Sequence, residues 1–342
     1  TINSGATVTS GVSFSVAGTM TVNGSFVPGA TGHVISGAGT LNGSGSIDVN
    51  LVSTSALTTQ YTITTRTLTN LTVDYSAAGN QSLASSTYGA LTTSGSGTKT
   101  FLGGTTINNA VTIGLGTTLN ASIFTHAIKG NWVNNGTFTP STSTIQFTGT
   151  SAQHILGSVA TTFNNFTVNN SSGVTLSGTV DATVNGTLTL TSGLVTPNTN
   201  YFTLGSAGTI SGASSSSYIN GLFSRVITGT SAVSFPIGKG GNYRPVTFTY
   251  ASAPGTKTVT IEQFETGSPL SISTASTILF GSRYWSVDQS ETGVSYTIGL
   301  NNSGNSPTGT VVMLRREGTG STTQNATSFS NPNYSNTTTF AT

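Results

Sequence analysis

The stretch "GNWVNNGTFTPSTSTIQFTGT", Gly130 to Thr150, contains no charged residue. Trp132, Val133, Phe138, Ile145 and Phe147 are spread through a background of Thr, Ser, Asn and Gly. Related phrases recur on both sides of it: "MTVNGSF" from Met20, "FTVNNSSGVTL" from Phe166 and "ATVNGTLTL" from Ala182. "LNGSGSI" from Leu41 and "TTLNASI" from Thr117 are weaker echoes. In each, apolar residues alternate with small polar ones, as in Met20, Val22, Phe26 and in Val184, Leu188, Leu190. That period of two marks a strand with one buried face. The intervening Asn-Gly, Ser-Gly and Gly-Thr pairs accept the backbone of tight turns.

The whole chain speaks the same way. Of its 342 residues 34% are hydrophobic and only 5% charged, and the formal charge is +2. An ordinary soluble domain carries about 25% charged residues. So little charge supplies neither a basic field for nucleic acid nor an acidic tail. Disordered chains are depleted in β-branched and aromatic residues, whereas this one is rich in Thr and Val and holds 16 Phe and 10 Tyr. The expectation is a folded, nearly all-β protein. Cysteine is absent, which removes disulfides and thiolate metal sites. No apolar run is long enough for a transmembrane helix. The chain opens at Thr1 with neither Met nor a signal pattern and reads as processed or partial.

Charge divides the chain in two. Residues 1–220 hold Asp48, Asp74 and Asp181 against Arg66, Lys99 and Lys129; the remaining acids and bases fall beyond the Ser-rich "SGASSSSYING", Ser211–Gly221. For residues 1–221 a sandwich of two sheets and a solenoid both fit short strands with Gly-rich turns. Length, repeated phrases and outward Thr, Ser and Asn favour the solenoid, a parallel β-helix with rungs of about 20–30 residues. Both of its ends are expected to expose strand edges. For residues 222–342, strands are expected within Ser231–Gly238, Tyr243–Ser252, Thr256–Glu265, Ser282–Ser290, Val294–Asn301 and Gly309–Glu317. They suit an immunoglobulin-like β-sandwich with Tyr284 and Trp285 in its core, incomplete or completed by a strand from a neighbouring subunit. The tail "SNPNYSNTTTFAT" ends on a further candidate strand.

At "GNWVNNGTFTPSTSTIQFTGTSAQHI", "TFNNFTVNNSSGVTLSGTV", "VNGTLTLTSG" and "FPIGKGGNYRPVTFTY" the sequence resembles the large repetitive secreted surface proteins of Bacteroidota-type bacteria. Those are adhesin-like, join β-solenoid stretches to sandwich domains, and in many cases use the type IX secretion route. The resemblance implies an extracellular structural or adhesive role. It carries no catalytic residue over, and the C-terminal sorting domain of that route does not follow before Thr342.

Chemistry is sparse. A β-helix lyase or hydrolase needs clustered carboxylates. Asp48 and Asp74 lie 26 residues apart, about one rung, and can stack; Asp181 is several rungs away and reads as a turn residue. His33, His126 and His154 lack metal-ligand spacing. "GKGGNYR", Gly238–Arg244, reads as a hairpin in preference to an anion loop. Lys257, Glu262 and nearby Asn residues supply the types for a Lys–Asn cross-link, against the plainer reading of a solvated strand face. The sequons at Asn23, Asn135 and Asn185 are expected by chance in such a composition. No catalytic, cofactor-binding or metal-binding residue is expected from these patterns. Two functions remain: a non-enzymatic extracellular structural subunit of a fibre or adhesin that self-associates head-to-tail, or a glycan-binding or weakly glycan-active β-helix. The second needs exposed aromatics such as Trp132, Tyr61 or Tyr88 beside Asp48 or Asp74. A transmembrane β-barrel ranks last, because its lipid-facing band of large apolar residues is missing.

Overall fold

The computed structural model describes residues 1–29, 32–266, 283–289 and 296–301, and the backbone of strands Val312–Glu317, Gly320–Asn325, Ser328–Ser330 and Asn333–Asn336. Alternating segments form strands of two to eight residues separated by corners. Each turn of chain lays one strand on each of three faces, and successive turns stack in parallel, giving a β-solenoid of about ten turns. The first face is a ten-stranded parallel sheet running from Thr7–Ser10 to Val195–Thr196. The second runs through Gln81–Leu83, Gly97–Phe101, Thr117–Asn120 and Thr137–Thr139, then resumes at Thr161–Phe163. The third runs from Thr87–Tyr88 to Thr209–Ser211. In the earliest turns the long strand Ile35–Asn42, irregular between Gly37 and Thr40, serves two faces at once.

Strand partners on the first face lie 18 residues apart at the shortest (Thr7 and Ser25) and 26 at the longest (Ser46 and Thr72). The lower bound is shorter than expected, since a corner of three or four residues suffices between strands this brief. The longest turn contains an element the pattern did not announce, the five-residue helix Ala56–Gln60. The repeated phrase also has an unexpected meaning. "WVNNGTF" spans Trp132–Asn134 of the first face and Thr137–Thr139 of the second. "ATVNGTLTL" spans Ala182–Val184 of the second and Thr187–Ser192 of the third. The phrase encodes strand, Asn-Gly corner, strand at any corner, which accounts for its uneven spacing.

Inward positions build one continuous core. Through its upper half runs an aromatic column: Trp132 against Phe163 at 5.5 Å, Phe163 on Phe166 at 4.8 Å, then Phe166 to Phe202 and Phe202 to Phe223 at 6.0 and 6.1 Å. Some corners admit only glycine. Gly193 has φ +86°, and a Cβ there would meet the Asn170 carbonyl of the turn below.

The C-terminal edge of the solenoid is carried onward, contrary to the expectation of bare edges. Phe223–Ile227 pairs in parallel with Phe202–Leu204 and antiparallel with Lys257–Phe264, which pairs in turn with Tyr284–Gln289. Ile219 bridges both Val195 and Ile237. Five of the remaining strands form an antiparallel sheet, Val233–Phe235, Val246–Tyr250, Tyr296–Asn301, Asn333–Asn336 and Ser328–Ser330, while Val312–Glu317 pairs with Gly320–Asn325 alone. Phe223 meets Phe235 across the junction at 5.8 Å, so the aromatic column enters this region without a break. Each of the six expected strand segments contains a strand, and Gly238–Lys239 with Asn242–Tyr243 forms the expected hairpin, with positive φ at Gly240 and Gly241. Trp285 packs against the core, but Tyr284 lies on the other face and stacks on Phe264 at 4.5 Å, because neighbouring strand residues point opposite ways. The tail strand expected beyond Asn336 lies outside the described residues.

Candidate functional site

Asp48 and Asp74 are direct partners in adjacent strands of the first face, Ser46–Val49 and Thr72–Tyr75. Their positions alternate with the buried Ile47, Val49, Val73 and Tyr75, so both carboxylates stand on the outer surface, half-buried. Ser94 Oγ donates to Asp74 Oδ2 at 2.7 Å. Burial first, and the neighbouring Asp74 second, push Asp48 up to about 6; burial raises Asp74 in the same direction. Two such groups can hold a proton between them. Asp181 is remote from the pair and accepts from the Tyr201 amide at 2.8 Å, a turn role.

The three histidines do not meet. His33 Nδ1 lies 3.2 Å from the Ser10 carbonyl, and His154 Nδ1 lies 2.9 Å from Ser177 Oγ of the next turn. His126 is wholly buried on the third face. Its Nδ1 lies 2.8 Å from Thr105 Oγ1, its Nε2 3.0 Å from the Ala121 carbonyl, and its ring 4.2 Å from that of Phe101. Burial holds this imidazole below its ordinary range. Among the described residues, no group of three His, Asp or Glu side chains could hold a metal ion.

The aromatics required by the glycan reading are not exposed. Trp132, Tyr61 and Tyr88 all point into the solenoid. They occupy inward positions of alternating strands, and each finds a polar partner inside. Tyr61 Oη donates to the Asp48 carbonyl at 2.6 Å, Tyr88 Oη to Ala84 O at 2.6 Å, and Trp132 Nε1 to Thr161 Oγ1 at 3.2 Å. A shallow recess of about 410 Å³ does open on the third face, lined by Ser85, Ser86, Thr87, Thr106, Thr125 and Ala127. Its walls offer hydroxyls and no titratable group.

Sequence reasoning missed a set of buried polar side chains that fasten the corners. Gln81 Nε2 donates to the carbonyls of Val49 and Leu51 at 2.7 and 3.0 Å. Gln153 repeats this on Ile128 and Gly130, while its Oε1 accepts from the Gly149 amide. Lys99, counted from sequence only as a charge, sits stacked on Gln81 and donates to Ala77 O, Gly79 O and Gln81 Oε1 at 2.8, 2.9 and 2.6 Å. Burial draws its ammonium down to about 8. The available signal was parity: all three occupy inward positions of their strands. Lys257 and Glu262 fall on opposite faces of one strand, and Glu262 instead pairs with Lys239 at 2.9 Å, so the acid does not face the amine it would have to activate. Comparison with known proteins finds no family model, no curated protein and no solved structure that matches this chain.

Proposed function

We propose that the chain is a non-enzymatic structural or adhesive protein of the extracellular surface, a rigid spacer that self-associates into fibres or larger surface arrays. The observation that carries this reading is the solenoid's exterior: about ten turns faced mostly by hydroxyls and amides, with few titratable groups and scattered exposed apolar side chains such as Leu115 and Ile123. Ten strands at about 4.8 Å give a rod of roughly 43 Å, stiffened by amide ladders along its length. The second region continues the rod, and we read it as an immunoglobulin-like sandwich, completed within the chain or by a neighbour's strand. Secretion to a bacterial surface follows from the resemblance in composition and phrasing and is part of the same proposal.

Negative-stain microscopy and sedimentation of the purified chain over a wide concentration range test it. Filaments or ordered oligomers are expected, and strictly monomeric particles at high concentration would remove self-association. Glycan recognition is the second reading. With Trp132, Tyr61 and Tyr88 buried, it rests on the hydroxyl-lined recess and on Asp48 and Asp74, and a glycan array with a reducing-sugar assay tests it.

A further inference from the structure

We propose that mild acid moves the weak point of the solenoid along its axis, firming the turns that carry Asp48 and Asp74 while loosening those packed around His126. Two local arrangements carry the inference. The carboxylates of Asp48 and Asp74 are brought together by strand register on the outer side of the first face. The groups facing them are Tyr61 and Lys99 from the interior, and Ser76, Thr92 and Ser94 on the same face. Asp74 Oδ1 is buried and has no hydrogen-bond partner among the described residues. When both carboxylates are ionised they repel across one strand spacing, and a proton turns the repulsion into a hydrogen bond.

His126 is the opposite case. Its neighbours are Thr105 and Ile145 in the adjacent strands, the Phe101 ring and the Ala121 carbonyl, and none carries a charge. Nε2–H donates to Ala121 O and Nδ1 accepts from Thr105 Oγ1 only if the ring is neutral. A second proton turns Nδ1 into a donor, so that the Thr105 hydroxyl has to rotate to accept from it, and it places a cation in the interior with no counter-ion among the described residues.

The signs follow from linkage. The acids titrate higher in the fold than in the unfolded chain, so their stabilisation is full below about 3.8 and is lost as pH rises through about 6. The imidazole titrates lower in the fold, so its turns lose stability as pH falls below the unfolded value of 6.5. Lys99, drawn down to about 8, stays charged through this window and contributes no change. In a compact domain the two effects would partly cancel in one global stability. A solenoid opens locally, because each turn touches only its neighbours, so they are read out at different heights.

Hydrogen exchange of the intact chain at about pH 7 and about pH 5, referenced to unstructured peptides at each pH, tests this. Protection over residues 46–76 should rise several-fold in acid, up to about tenfold, while protection over residues 105–128 falls. Replacing both Asp48→Asn and Asp74→Asn should abolish the rise and leave the fall; His126→Gln should abolish the fall and leave the rise. Both segments moving in the same direction, or a rise that survives the double Asn variant, would overturn the proposal. Should His126→Gln not fold, NMR titration of the His126 ring in the native chain decides that arm. A ring that protonates in the ordinary histidine range would defeat it.

Discussion

In the solenoid Asp48 stands beside Asp74, whereas in the second region Glu262 stands beside Lys239. The contrast explains the composition. Parallel stacking sets equivalent positions of successive turns about 4.8 Å apart, so a charge that recurs with the repeat faces a charge of its own sign. Hydroxyls and amides both donate and accept, so like beside like is satisfied, as in Thr187 with Thr209 at 3.1 Å. Antiparallel pairing in the second region sets unrelated residues side by side. Among the described residues, the carboxylate–cation pairs found lie there: Lys239 with Glu262, and Arg244 and Arg283 with Glu265. Charge is scarce where the chain stacks on its own repeat and is used where it does not.

Four measurements press on that comparison. The aromatic column should be the largest contributor, since it is common to both regions. Phe202→Ala is expected to cost about 3–5 kcal/mol in chemical denaturation, and Phe223→Ala at the junction about as much, with both regions losing cooperativity together. Two separate transitions in the native chain would show that the regions are joined in sequence alone. Next comes a corner: Gln153→Leu removes the side-chain bonds to Ile128 O, Gly130 O, the Gly149 amide and Asn170 Nδ2 and should cost about 2–3 kcal/mol, whereas an exposed Thr of the same turn should cost under about 0.5 kcal/mol. Third, Asp48→Asn should stabilise the solenoid at neutral pH by about 1 kcal/mol after allowance for solvent screening. The gain should vanish as pH falls through about 6 towards 3.8, where the wild-type carboxyl is itself protonated. A constant gain across that range would mean that the charge is irrelevant. Smallest of all, Lys239→Gln should cost under about 1 kcal/mol, and that cost should shrink as salt is added.

How much of this was readable can be seen at particular residues. Alternation announced the strands, and the 26-residue spacing announced the stacking of Asp48 on Asp74, because both follow from local period and rung length. The Gly238–Arg244 hairpin was equally local. Phe223–Ile227 was missed: "FSRVI" alternates poorly, and it is held as a strand by partners 21 residues before it and 30 to 38 after it. Gln81, Lys99 and Gln153 were not singled out, because their types are mostly exposed and only the carbonyls of the neighbouring corner make burial favourable. The side on which Trp132, Tyr61 and Tyr88 lie, on which the glycan reading depended, was not legible, since Tyr and Trp carry a polar tip that sits equally well at a surface or against a buried acceptor.

Composition, alternation and the repeated phrases therefore determined that the chain is β, coiled on itself in parallel and economical with charge, because these are consequences of backbone period and of like residues meeting like. Only the tertiary structure decided which of three faces each strand joins, which aromatics turn inward and how the last turn is continued. A period of two distinguishes the two sides of a strand without saying which side is the interior, and a backbone ladder accepts any neighbouring strand that comes into register.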